Sequence, residues 1–273
     1  LEEKREMTDR LKDKVAVITG GTSGIGEATV ELFIAEGAKV VIVGRNADKG
    51  RQMAAHHGPS AVFVSADVRR EAEIAAAIET ATQRFGRLDC LFNNAGGPSA
   101  GGVESVTHDN FTDAMELLLG SVVFGIKHAA PIMRGQGRGA IINNSSVAAV
   151  RTHMGGYLYS MAKAAVVQAT RMAGMELGRH GVTVNSIAPG GIATPIFYGG
   201  SLAASQLEPE HAQAKLDKLT RNLAKATPLQ RSGLPADIAA AALFLASDEG
   251  AFVNCHDLVV DGGMIAGGRS NYE

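Results

Sequence analysis

Thr19-Gly20-Gly21-Thr22-Ser23-Gly24-Ile25-Gly26 stands between the apolar run Val15-Ala16-Val17-Ile18 and a stretch, Glu27 to Glu36, with apolar residues at helical period. A strand that turns through glycines into a helix gathers backbone N–H groups and the helix N-terminus at one spot, which suits an anionic pyrophosphate. Gly20 permits the tight turn, Gly24 allows close backbone approach, and Gly26 lets the helix pack near the strand. Thr22, Ser23 and Ile25 complete the candidate cofactor-binding turn. A glycine-rich turn alone is weak evidence of a nucleotide site. Its position inside a strand, turn, helix unit, with a second β-rich run at Lys39 to Val43, makes it specific.

The alternation continues outward. Strands are expected at Ala61–Ser65, Leu88–Asn93, Ala140–Asn144, Val182–Ile187 and Leu258–Val260, with helical stretches near 71–85, 107–134, 155–180 and 235–246. Seven strands spaced by helices require parallel pairing with right-handed crossovers, so the expected fold is a doubly wound α/β sheet covered on both faces. Residues 13–273 read as one domain and 1–12 as a flexible tail. The long segment from Pro195 to Pro228, with a polar helical piece around Glu208–Lys225, fits neither pattern and reads as a lid over the site.

Composition narrows the partners. The chain has 273 residues, 45% apolar and 20% charged, with 26 basic against 28 acidic residues and a formal charge of −2. General attraction to nucleic acid or an anionic membrane is not expected, and small molecules or copies of the chain itself are. Cys90 and Cys255 lie far apart without C-x-x-C spacing, which argues for reduced, buried thiols and a cytoplasmic setting. No run of about 18 apolar residues is present. Leu1 to Arg10 lack the apolar core of a signal peptide, and Met7 reads as a natural start. Adjacent His56-His57 lack the ligand pairing of a metal site, and no metal is expected.

Tyr159 and Lys163 are four apart, so a helix sets an ammonium beside a phenol. A fixed positive charge favours the phenolate, and Tyr159 then becomes a general acid or base. Alone, the pair also reads as an ordinary amphipathic pair with the lysine reaching to water. Asp67-Val68 and Asn93-Asn94-Ala95-Gly96 fall at the ends of the third and fourth strands, where open parallel sheets bind ligands.

The Thr-Gly-x-x-x-Gly-x-Gly turn, Asn93-Asn94-Ala95-Gly96, Ser146 thirteen residues before Tyr159, the Tyr-x-x-x-Lys pair, and Pro189-Gly190 with Thr194 together resemble the classical short-chain dehydrogenase/reductases. The resemblance runs from about Asp13 to Gly263 and implies a single-domain, Rossmann-like fold and an NAD(P)-dependent alcohol dehydrogenase or ketone reductase. By that resemblance Tyr159 exchanges a proton with the alcohol or carbonyl oxygen. Lys163 lowers the Tyr159 pKa and holds the nicotinamide ribose, and Ser146, preferred over its neighbour Ser145, positions the reacting oxygen. Asp67, Val68, Asn94, Ala95 and Gly96 are the expected adenine and ribose contacts, and Pro189, Gly190, Ile192 and Thr194 the expected carboxamide site. The resemblance also implies a homotetramer paired through the helices near 107–134 and 155–180 and the C-terminal Leu258 to Gly263 segment.

Two positions depart from the family's usual pattern. The helical asparagine that normally supports a water chain to the lysine aligns with Leu118, which has no hydrogen-bonding group; Ser121, one turn later, is an alternative holder. The acid that NAD-preferring members place after the second strand is Gly44, and the next residue, Arg45, suits the 2′-phosphate of NADP(H), although NAD(H) remains compatible if Arg45 only stacks. Val147, Val150, His153, Met154, Phe197 and Tyr198 are candidate pocket residues, mostly apolar, which suits an alicyclic, aromatic or terpenoid secondary alcohol or ketone. Tyr157 points about 200° around the helix from Tyr159 and reads as a packing or pocket residue. The competing readings are a cofactor-binding sensor on the same fold, encouraged by Leu118, and a lyase of the halohydrin dehalogenase kind, opposed by the intact glycines 20, 24 and 26.

Overall fold

The structure is a computed structural model describing residues 9–200 and 206–267, and within that span the side chains of Tyr198 and Pro209 are excluded. Seven strands form one sheet: β1 (Val15–Thr19), β2 (Lys39–Gly44), β3 (Ala61–Ser65), β4 (Cys90–Asn93), β5 (Gly139–Asn144), β6 (Val182–Pro189) and β7 (Asp257–Val260). Their order is β3-β2-β1-β4-β5-β6-β7, every pair parallel. The order reverses direction between β1 and β4, and a doubly wound sheet opens a ligand crevice at that point. The glycine turn leaves β1 and Asn94-Ala95-Gly96 leaves β4, so both meet there.

The helices are α1 (Gly24–Ala35), α2 (Ala47–His57), α3 (Glu71–Phe85), α4 (His108–Met115), α5 (Ser121–Gln136), α6 (Tyr157–Leu177), α7 (Pro209–Ala224) and α8 (Pro235–Ala246). Alternate strand residues face opposite sides. Ile18, Ile42, Phe92 and Ile187 pack with Val30 and Phe33 of α1 and Ile238 and Leu243 of α8, whereas Val17, Val41, Leu91 and Val184 pack with Ile74 and Ile78 of α3 and Met133 of α5. Each such side chain, fully buried, contributes about 1.5–3 kcal/mol. The two layers hold the sheet rigid beneath the crevice.

The expected doubly wound α/β sheet is present, with three local differences. Leu11, placed in the flexible tail, is 1% exposed in the core and its N–H donates to Glu36 O at 2.9 Å, so the domain includes the chain from Asp9; residues 1–8 lie outside the described residues. The helix expected over 107–134 is divided by a π-helical turn, Glu116–Gly120, that carries Leu118. An extra residue per turn rotates the remainder of the helix and is frequent at functional sites. Cys255, expected to be buried, is only half-buried, while Cys90 is buried and its thiol is pushed up to about 12 by that burial. The stretch from His108 to Gln136 is long and apolar enough by composition to cross a membrane, and its α5 part packs on α3, β4, β5 and α6.

Candidate active site

A cavity of ≈ 450 Å³ lies over the reversal point. Several elements carry its walls. The turn after β1 supplies Gly20, Thr22, Ser23, Gly24 and Ile25, the end of β2 supplies Gly44 and Arg45, and Asp67 and Val68 follow β3. Asn94, Ala95 and Gly96 follow β4, Tyr159 and Lys163 stand on α6, and Thr194 arrives after β6.

The turn has the shape its glycines predict. Gly20 and Gly24 have φ +67° and +54°, in the left-handed region. A Cβ on Gly26 would stand 2.2 Å from Gly20 O, so α1 starts as close to β1 as backbone allows. Ser23, the α1 N-cap, makes no side-chain cap bond, which leaves the first amides of α1 open toward the cavity. Open amides at a helix N-terminus, with bare backbone alongside, are the donor set an anionic pyrophosphate requires, so the residues fit a dinucleotide. Across the cavity a Cβ on Gly24 would lie 3.4 Å from Thr194 Cγ2.

Residues 143–146 end β5 and begin the turn that holds Ser146. Ala148 N–H donates to Ser146 Oγ at 3.1 Å, which leaves the hydroxyl hydrogen free to donate. Ser146 hydrogen-bonds the Tyr159 phenol and draws its pKa down, but burial is the larger effect and pushes it above its ordinary value. The expectation that Lys163 lowers Tyr159 is therefore not met in this geometry. Lys163 is 4% exposed, its Nζ lies 5.7 Å from the Tyr159 ring centre, and it donates to Asn144 O at 2.6 Å. Burial holds the Lys163 ammonium down at about 8 from 10.5.

Burial of Lys163 also makes stability depend on pH. The unfolded lysine keeps its proton to higher pH than the folded one, so the burial penalty is complete below about 8 and fades as pH rises toward 10.5. Lys163→Met is expected to raise Tm at pH 7, by an amount that shrinks across that window in thermal melts of nucleotide-free protein. No gain at pH 7 would mean that the bond to Asn144 O outweighs burial.

Several expected residues lie elsewhere. Pro189 ends β6, Gly190 N–H donates to Val260 O at 3.0 Å, and Ile192 is 4% exposed in the core, so these shape the turn that delivers Thr194 without lining the cavity. Gly26 likewise acts beneath the turn. Ser121 is buried and its hydroxyl donates to Leu117 O at 2.7 Å, so its donor is spent inside its own helix. Leu118 is 1% exposed and packs with Ala114, Leu158 and Ala162, with Tyr159 against the cluster. Val147 is buried; Val150, His153, Met154 and Phe197 are exposed on the segments after β5 and β6. Tyr157 is 44% exposed, and the Tyr198 side chain lies outside the described residues. Among the described residues no metal-ligating cluster occurs, and His57 pairs with Glu31 at 3.0 Å.

Lining residues that the sequence did not single out include Glu27, Lys49, Leu117 and Asn144, with Pro195, Ile196 and Gly200 from the segment read as a lid. Lys49 stands on α2, a helix without an apolar period, and pairs with Glu27 at 2.8 Å. Asn144 was hidden within a run that read as a core strand.

Comparison with known proteins agrees with this geometry. A family model described as enoyl-(acyl carrier protein) reductase, of the short-chain dehydrogenase type, matches residues 20–265. The chain is 41% identical to momilactone A synthase of Oryza sativa subsp. japonica over 93% of this chain and 91% of that one. It is 36% identical to (+)-borneol dehydrogenase 2 of Salvia officinalis over 97% and 93%. Among solved structures, levodione reductase superposes with TM-score 0.81 at 35% identity, covering 94% of this chain and 99% of that one.

Proposed function

This chain belongs to the classical short-chain dehydrogenase/reductase family, and on that premise we propose that it uses NADP(H) to interconvert a secondary alcohol and a ketone of alicyclic, aromatic or terpenoid-like shape. Its relatives include proteins named as a borneol dehydrogenase and a levodione reductase, which act on an alcohol and a ketone. One observation carries the reading: Tyr159 and Lys163 share the cavity whose far end is the glycine turn. Catalysed change in nicotinamide absorbance with a terpenoid alcohol or ketone is its test.

Bound in this crevice, a nicotinamide would supply or accept the hydride. The chain's own residues do the rest. Tyr159 Oη gives its proton to the carbonyl oxygen in reduction and takes it back in oxidation. Ser146, whose oxygen is held by Ala148 N–H, turns its hydrogen toward the same oxygens. The Lys163 ammonium sits beneath, anchored on Asn144 O, with its remaining donors toward the cavity. Gly20, Thr22, Ser23, Gly24 and Ile25 would hold the pyrophosphate, and Asp67, Val68, Asn94, Ala95 and Gly96 the adenosine side. Pro195, Ile196 and Gly200 at the cavity edge support a lid role for the segment that follows β6.

The NADP(H) preference rests on the end of β2. A Cβ on Gly44 would stand 2.9 Å from Thr22 Oγ1, so the acid that would bond the ribose of NAD has no room unless Thr22 moves. Arg45 lines the cavity beside it, with Lys49 nearby on α2. Arg45→Ala is expected to weaken NADP(H) binding by about tenfold or more and NAD(H) by little, because a charge-assisted bond to the 2′-phosphate is lost only in the former. Titration of the nucleotide-free protein with each cofactor checks this; equal losses would show stacking without discrimination. We also propose a homotetramer, supported by exposed Val123 on α5 and by Met172 and Met175 on α6. A monomeric mass by light scattering would contradict it.

A further inference from the structure

Among the described residues, the charged side chains that line the cavity are Glu27, Arg45, Lys49, Asp67 and Lys163. Glu27 and Lys49 pair with each other, Lys49 Nζ donating to Glu27 Oε2 at 2.8 Å. Lys163 is spent on Asn144 O and Asp67 faces Arg69, while Arg45 is exposed and makes no ion pair among the described residues.

Both members of the pair stand in the opening turn of a helix, Glu27 on α1 and Lys49 on α2. That end of a helix carries positive partial charge, so it favours the carboxylate and disfavours the ammonium. α2 already has the acid its first turn favours in Asp48, which pairs with Arg51 at 2.7 Å. Lys49 therefore answers to an anion outside its own helix. Its place is fixed by packing: Asn46 Oδ1 caps the Lys49 N–H at 3.1 Å, and a Cβ on the next residue, Gly50, would stand 2.1 Å from the Phe63 ring, so α2 lies hard against β3. The root of the lysine is held just past the end of β2, where Gly44, Arg45 and Asn46 also line the cavity.

Glu27 raises the opposite problem. The open amides of α1 are the place for a pyrophosphate, and an unpaired carboxylate in the same turn would repel it. Lys49 cancels that charge in the nucleotide-free protein. The two side chains are 40% and 34% exposed, and ion pairs so placed hold weakly. A phosphate brings nearly two charges and three strong acceptor oxygens, so one that enters this corner can take the ammonium from the carboxylate.

We propose that Lys49 joins Arg45 on the 2′-phosphate of NADP(H), and that Glu27 is the counter-charge which the phosphate displaces. This rests on the NADP(H) reading of Arg45 and goes further, because it makes selectivity a competition between two anions for one lysine. NAD(H) brings no rival anion to this corner, and with it the Glu27–Lys49 pair stays closed.

The test titrates nucleotide-free protein with NADPH and NADH by cofactor fluorescence and with 2′,5′-ADP and 5′-AMP by calorimetry, each pair differing only in the 2′-phosphate. Lys49→Gln is expected to weaken NADPH and 2′,5′-ADP about tenfold and to leave NADH and 5′-AMP within about twofold, since one charge-assisted bond is lost. Glu27→Gln, close to isosteric, is expected to do the reverse and to tighten NADPH relative to NADH by about threefold, the range of a partly exposed pair. In the Lys49→Gln background the same Glu27→Gln change should leave the ratio almost unmoved, because the two residues act through one bond. Equal losses for NADPH and NADH in Lys49→Gln would overturn the proposal and leave Lys49 as a screen between Glu27 and the pyrophosphate. An unchanged ratio in either single variant, or a Glu27→Gln gain that persists without Lys49, would overturn it as well. Equal affinity of the wild-type protein for NADPH and NADH would instead remove the NADP(H) reading, and the proposal with it.

Discussion

Tyr159→Phe is expected to lower kcat by about 10² to 10⁴ while nucleotide binding is retained, because general acid–base assistance is worth that much and only the transferable proton is lost. The ring packs against the Ala114, Leu118, Leu158 and Ala162 cluster, and phenylalanine keeps that packing. The hydroxyl is also the partner of Ser146, so the variant frees Ser146 without opening a cavity. Burial holds the phenol above its ordinary pKa, which keeps Tyr159 protonated and ready as an acid in the nucleotide-free protein. Steady-state rates and nucleotide titration check the two halves separately. More than a tenth of wild-type kcat would take Tyr159 out of the proton transfer.

Gly26→Ala is expected to abolish nucleotide binding and to destabilise the fold by about 3 kcal/mol, in the range of severe overpacking. Its Cβ would meet Gly20 O at 2.2 Å and Asn94 Nδ2 at 2.7 Å. The first is backbone and the second belongs to a side-chain amide anchored on Thr19 O, so neither can swing aside without moving the turn or the end of β4. Gly24→Ala is the matched control: φ is +54°, which strains an alanine, but the nearest neighbour is Thr194 Cγ2 at 3.4 Å. Strain of that kind costs about 1 kcal/mol. Fluorescence titration with reduced nicotinamide cofactor and thermal melts should rank Gly26→Ala well below Gly24→Ala; the reverse order would contradict the account of the turn.

The fold was legible because β1, β2, β4 and β6 are short apolar runs at regular spacing, and parallel strands buried on both faces leave little else for such runs to be. α2 was not. Ala47–His57 buries only Gly50 and Met53, and it packs through the absence of a side chain: a Cβ on Gly50 would lie 2.1 Å from the Phe63 ring. Close packing on a glycine leaves no apolar period to read, and Lys49 was missed with the helix. The π-helical turn at Glu116–Gly120 was equally silent, since a wider turn changes one step of the backbone and no residue type.

At the site, the turn and the Tyr159–Lys163 pair could be read from spacing because each lies within one local element. Asn144 could not, because its meaning comes from contacts with Asn94 and Lys163, 50 and 19 residues away. The same holds for Tyr159. A lysine four residues away implied a lowered pKa, but burial is the larger effect and decides the sign. Proximity in sequence fixed the pair, and depth in the protein set its protonation.

The central claim is that this crevice moves a hydride and a proton between a nicotinamide and a secondary alcohol or ketone. The most direct measurement follows the nicotinamide absorbance band with purified protein, NADP(H) and NAD(H) in parallel, against alicyclic and terpenoid secondary alcohols and their ketones. The account predicts turnover with at least one such pair, faster with NADP(H), and lost in Tyr159→Phe. Tight binding of either nucleotide with no turnover on any pair would contradict it and mark the protein as a nucleotide-binding sensor.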